Sequence, residues 1–142
     1  MNGMQVLLIS SYLKAAVVGD PQPLVSLPNA TVPGNSREIC GVSASSVADL
    51  RGKISGASGT ATQPVGNGYV VYIQEPLRRY WTFTTPANRA YPAAVCRSIV
   101  TRDGVSNVSL EVMCDADRDP CEALRREFFV LSERMKRDLI AR

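Results

Sequence analysis

The sequence predicts a single α+β domain: an antiparallel sheet of about four strands, arranged as two hairpins, packed against a C-terminal amphipathic helix. Three observations carry this expectation. Runs of β-branched and aromatic residues occupy 69–73, 80–85, 94–101 and 105–113. The last two flank Asp103 and Gly104, a pair suited to tight hairpin turns because glycine tolerates positive φ. From about Asp119 onward, apolar residues recur at intervals of three and four.

Residues 1–20 form an apolar N-terminal segment with clusters at Val6, Leu7, Leu8 and Ile9 and at Ala15, Ala16, Val17 and Val18. It is too short and interrupted for a helical membrane span. It reads either as a degenerate or truncated export signal, because no Lys or Arg precedes the apolar run and Lys14 breaks it, or as a short first helix packing Leu7, Leu8 and Leu13.

Residues 21–68 read as a Pro-, Gly- and Ser-rich lead-in. Pro21, Pro23, Pro28 and Pro33 forbid a regular helix and disfavour a central strand. A short helix is expected within 43–54, capped by Ser43 or Ser45, with Val47, Leu50 and Ile54 on one face. Six of the ten glycines fall between Gly41 and Gly68, which marks a flexible connection, with 55–60 its most open part. No phosphate-cradle or nucleophile-elbow spacing occurs there.

Residues 69–142 are the expected α+β core. Residues 69–85 form a first hairpin turning through 75–79, with Trp81 and Phe83 on one face and Tyr80, Thr82 and Thr84 on the other. In the second hairpin, the register depends on the loop. With only Asp103 and Gly104 in the loop, Ile99 opposes Val108 and Cys96 shares a face with Glu111. With Arg102 drawn in and Gly104 in a bulge, Cys96 opposes Leu110. The final helix, 119–141, has Asp117 or Asp119 as cap and Pro120 in its first turn. Its apolar stripe runs through Cys121, Leu124, Phe128, Leu131, Met135 and Leu139, and Phe129 lies off it.

Composition narrows function by exclusion. The chain is 45% hydrophobic and 20% charged, ordinary for one globular domain of this length. Its net charge of +3 comes from nine dispersed cations set against six carboxylates, ahead of a terminal segment that is itself neutral. The absence of histidine removes the commonest metal ligand and general base. No acid, base and nucleophile converge in the sequence, and neither a cofactor motif nor a metal-ligand spacing is present; an enzyme is the less favoured expectation. The acidic turn 115–120 lacks the spacing of a calcium loop.

Four cysteines, Cys40, Cys96, Cys114 and Cys121, suit two disulfides in an oxidising compartment, with four buried thiols in a cytosolic protein as the alternative. Cys114 and Cys121 flank the strand-to-helix turn, where a disulfide would staple the sheet to the helix start; the connectivity stays open.

For recognition, the candidate partner-binding residues are Arg78, Arg79, Tyr80, Trp81, Arg89 and Tyr91. Arginine and aromatic side chains bind well once desolvated, and Pro86 and Pro92 stiffen the loop 84–92, so little entropy is lost on docking. A protein partner is the expectation. The alternative is a cytosolic nucleic-acid-associated module in which Arg97 and Arg102 join Arg78, Arg79 and Arg89 near Tyr80 and Trp81.

Residues 81–86, 91–97, the Asp-Gly hairpin and the helix opening at Cys121 together resemble small uncharacterised bacterial cell-envelope proteins, over about residues 69–136. The resemblance implies export and a periplasmic or secreted location, with a cytoplasmic one as the alternative. The compact domain, the cysteine count and the lack of a convergent acid, base and nucleophile set lead to the expectation of a non-enzymatic binding protein, an inhibitor or accessory subunit.

Overall fold

A computed structural model describes residues 36–142; the N-terminal segment and the lead-in up to residue 35 lie outside the described residues. The α+β class and the C-terminal helix are as expected, but the sheet has five strands rather than about four, and a second, two-stranded sheet precedes it. The order is β1 (Arg37–Ile39), β2 (Val42–Ala44), α1 (Val47–Ser55), β3 (Ala61–Val65), β4 (Tyr69–Gln74), β5 (Arg79–Thr84), β6 (Ala93–Arg102), β7 (Val105–Cys114) and α2 (Arg118–Ile140). The five-stranded sheet is an antiparallel meander, β3-β4-β5-β6-β7.

The register makes the sheet two-sided. Tyr72, Trp81, Cys96 and Glu111 form one cross-strand row, and Val70, Phe83, Ala94 and Met113 another on the same side. Rows on the opposite side carry Val71, Thr82, Val95 and Val112, then Ile73, Tyr80, Arg97 and Leu110. Asp103 and Gly104 alone form the last loop, both at positive φ, so the two-residue register is the one adopted and Cys96 opposes Glu111.

The first face is covered by the β1–β2 hairpin and α1. Cys40 and Gly41 turn that hairpin, and its tip is fixed twice: Cys40 is disulfide-bonded to Cys96, and its N–H donates to Glu111 Oε2 at 2.8 Å. Ser46, not Ser43 or Ser45, caps α1, accepting from the Asp49 N–H at 3.0 Å, while the Asp49 carboxylate reaches back to the Ser45 N–H at 2.9 Å. This reciprocal arrangement satisfies donors that the first helical turn would otherwise leave open. The Ser45 N–H and then the Lys53 ammonium hold the Asp49 carboxyl below its usual range. Val47, Leu50 and Ile54, at helical spacing, are buried against Trp81, Phe83 and their neighbours.

The second face is covered by α2. Leu124 and Phe128 pack with Ala93 and Val95 of β6 and with Leu110, Val112 and Cys114 of β7, so the helix lies over the β6–β7 boundary. A disulfide between Cys114 and Cys121 closes the turn. The buried stripe runs Cys121, Leu124, Phe128 and then Ser132; Leu131 is turned outward and no residue beyond Ser132 is buried. Asp115 joins the two covers, accepting from the Arg37 guanidinium and from the Val47 N–H, the latter at 2.9 Å.

Candidate functional site

The six residues expected to form one recognition surface are divided by the register. Trp81 is fully enclosed, with an exposure of 0%, and its indole N–H donates to Gln74 Oε1 at 2.9 Å, so its place is in the core beside Phe83 and not on a docking surface. Arg78 is exposed at the β4–β5 loop in a left-handed conformation. Arg79 faces the β1–β2 hairpin near Gly41, whereas Tyr80 lies on the α2 side across from Arg97. The Arg97 guanidinium stands over the Phe128 ring at 5.6 Å, and burial lowers its pKa. Arg102 ends β6 at the same end of the sheet as Arg78, whose guanidinium donates to Thr101 Oγ1 at 3.3 Å. Strand alternation sets Arg79 and Arg97 on opposite sides of the sheet, and Arg89 lies at its other end, so the arginines form no single basic face.

Arg89 and Tyr91 are brought together. The segment 84–92 returns from β5 to β6 and is closed by its own hydrogen bonds. The Thr85 N–H donates to Gly68 O at 2.8 Å, the Asn88 N–H to Thr85 O at 2.9 Å and the Ala90 N–H to Asn88 Oδ1 at 2.9 Å. Thr84 Oγ1 accepts from the Ala93 N–H at 2.8 Å, inside the loop. Gly68, at φ +83°, lets Asn88 approach; a Cβ there would stand 3.1 Å from Asn88 Cβ. The Tyr91–Pro92 peptide bond is cis. Arg89 remains exposed, and Tyr91 keeps 45% of its surface in solvent.

Beside this loop lies a cleft of about 460 Å³, walled by Tyr69, Asn88 and Arg89 on one side and by Asp119, Ala123 and Glu127 of α2 on the other. The Tyr69 hydroxyl donates to Glu127 Oε2 at 3.2 Å. Burial, helped by the Glu127 carboxylate and opposed by Asn88, lifts the Tyr69 hydroxyl above its ordinary pKa. The cleft thus offers one cation, two carboxylates, the amides of Asn67 and Asn88 and an aromatic floor, which suits a polar peptide segment or side chain carrying both signs of charge. Glu127 was missed in the sequence because it reads as an ordinary solvated helix residue, and Asp119 was read only as a candidate helix cap. Only the fold sets them opposite Arg89.

A second concave surface lies on the opposite flank of α2. Leu110 and Val112 of β7 meet Arg125, Arg126, Phe129 and Val130 of the helix there, and Phe129 is 58% exposed. Among the described residues no group of three or more metal-ligating side chains assembles, and no helix is long and apolar enough to cross a membrane. Comparison with family models, with curated proteins and with solved structures gives no match.

Proposed function

We propose that the chain is a non-enzymatic binding protein of the bacterial cell envelope, an inhibitor or accessory subunit that holds a protein partner at Arg89, Tyr91 and the adjoining cleft. The observation that carries this reading is the loop 84–92. Its backbone is pinned by main-chain and side-chain hydrogen bonds while Arg89 and Tyr91 are left in solvent. Residues of these two types, fixed before contact, lose little entropy on docking and supply much of the energy at protein interfaces.

The cysteine pairing supports an oxidising compartment, since each of the two bonds ties one cover of the sheet to the sheet itself. The division of the arginines between faces favours a protein partner over nucleic acid, because phosphate binding draws on a continuous basic surface.

A photo-crosslinking side chain at Tyr91, in protein expressed in the envelope, tests the reading. The expected outcome is one discrete adduct that Arg89→Ala removes and that the same probe at Val105 does not form. An adduct pattern shared by both positions, or none, contradicts it. Alkylation of natively isolated protein tests the compartment: no thiol should react without prior reduction, and four reactive thiols would overturn the envelope assignment.

A further inference from the structure

Among the described residues β7 is an edge strand, pairing with β6 alone. Its outward main-chain groups can be identified. Asp115 donates to Pro92 O and Ile99 donates away from β7, to Arg78 O, so the Ile99–Val108 pair is not hydrogen-bonded and the even-numbered residues of β7 point out of the sheet. The Val108 N–H is met by its neighbour Asn107 Oδ1 at 2.9 Å. Among the described residues Leu110 and Val112 have no such local partner, and their side chains floor the groove beneath Phe129 and Val130. An open strand edge beside an exposed aromatic is a template for another strand.

We infer that this edge joins a second copy of the chain, β7 to β7 and α2 to α2, about a two-fold axis perpendicular to the sheet. The inference does not depend on the proposed partner, whose cleft at Arg89 lies on the other flank of α2 and stays open.

Self-complementarity supports a second copy over a foreign strand. In an antiparallel α2–α2 contact centred between Phe129 and Val130, Phe129 of one copy meets Val130 of the other. Arg126 then meets Glu133, and Glu122 meets Arg137. These residues share the exposed side of the helix around Phe129. Both carboxylates pair with cations of their own helix, Glu122 with Arg118 and Glu133 with Lys136, which holds them near the surface that would be joined.

The strands have their own centre. Antiparallel pairing of Leu110 with Leu110 uses the outward groups and sets Ser109 against Glu111, whereas a centre at Glu111 would oppose two carboxylates. The two centres coincide. From the Cys114–Cys121 tie, four strand residues span about 13 Å and eight to nine helical residues span about 13 Å, which brings Leu110 level with the Phe129–Val130 midpoint. With α2 over the β6–β7 boundary, paired edges would place the two helices about two strand spacings apart, roughly 10 Å, the distance at which helices pack.

Sedimentation velocity of the full chain over a concentration series tests this, with circular dichroism to show that each variant is folded. A reversible dimer is expected. Phe129→Asp should abolish it without lowering the melting temperature of the dilute protein. Arg126→Glu and Glu133→Arg should each weaken association about tenfold, because each replaces two symmetry-related attractions with repulsions, and the two together should restore it to within about threefold. A wild-type chain that stays monomeric throughout overturns the inference, including one that binds an extended peptide along β7. So does a dimer that the combined variant fails to restore.

Discussion

On the side of the sheet facing α1, Trp81, Phe83 and Cys96 are sealed beneath Ile39 and Leu50, and the Trp81 indole N–H is satisfied by Gln74. On the side facing α2, Leu124 and Phe128 are buried, but Leu110, Val112 and Tyr69 remain partly in solvent. The three buried side-chain polar atoms without partners among the described residues, Thr82 Oγ1, Arg97 Nε and Ser132 Oγ, lie on this second side. The first cover is made of elements distant in sequence, and closing it removes large apolar surfaces from water. The second is one helix laid over the outer strands, and its flanks stay open as the cleft at Arg89 and the groove at Phe129. One side is sealed, and the other leaves concave surface open to solvent.

The largest effect is expected at Trp81. Trp81→Ala should cost roughly 3 to 5 kcal/mol in a denaturant melt, a large share of the stability of a domain this size. Leu110→Ala, on the other side and half-exposed, should cost much less. Equal losses would mean that the two faces contribute alike.

The disulfides sharpen the same contrast. Cys40–Cys96 closes a separation of 56 residues and Cys114–Cys121 one of 7. Chain-entropy arguments then predict a loss of about 4 kcal/mol when the first pair is replaced by alanine and about 2.5 kcal/mol for the second. Chemical melts of the two double variants would rank them, and a larger loss at Cys114–Cys121 would reverse the assignment.

How far these differences could be read from the sequence depends on where the signal was local. The Asp103-Gly104 hairpin and α2 were legible because turn chemistry and helical periodicity act over a few residues, and α2 differs from the expected 119–141 by a single residue at each end. The register around Cys96 was open until the fold supplied the second partner, Cys40, on the same face. β3 was missed because all five of its residues are exposed and Pro64 interrupts it, so an edge strand with no buried side left no apolar alternation to detect. β1 and β2 were missed because three-residue strands lie below any periodic signal. Leu131 was placed in the buried stripe on spacing alone; Ser132 takes that place because the helix continues the Phe128 face one turn further at four residues rather than three. Of the candidate site, Arg89 and Tyr91 were identified from their loop, while Asp119 and Glu127 came only with the packing of α2.

Two smaller effects test the second face alone. Thr82→Val removes a buried hydroxyl that has no partner at nearly constant volume, and should raise stability by up to about 1 kcal/mol in a thermal melt; a loss would show that the hydroxyl is satisfied. Tyr69 gives a pH dependence. Its folded pKa is raised, so the unfolded chain releases the proton first, near pH 10, and the contribution is complete below that value and lost as pH rises through the folded pKa. Tyr69→Phe should flatten this alkaline decline in a series of denaturant melts.

Native-state hydrogen exchange, read by mass spectrometry at increasing denaturant and at protein concentrations below self-association, tests the division of labour most directly. Amides of β5, β6 and the last turn of α1 should open only with global unfolding, while amides of α2 beyond Ser132 should exchange through a cheaper local opening. Protection of α2 through Ile140 equal to that of β5, or loss of α1 before α2, would contradict the account.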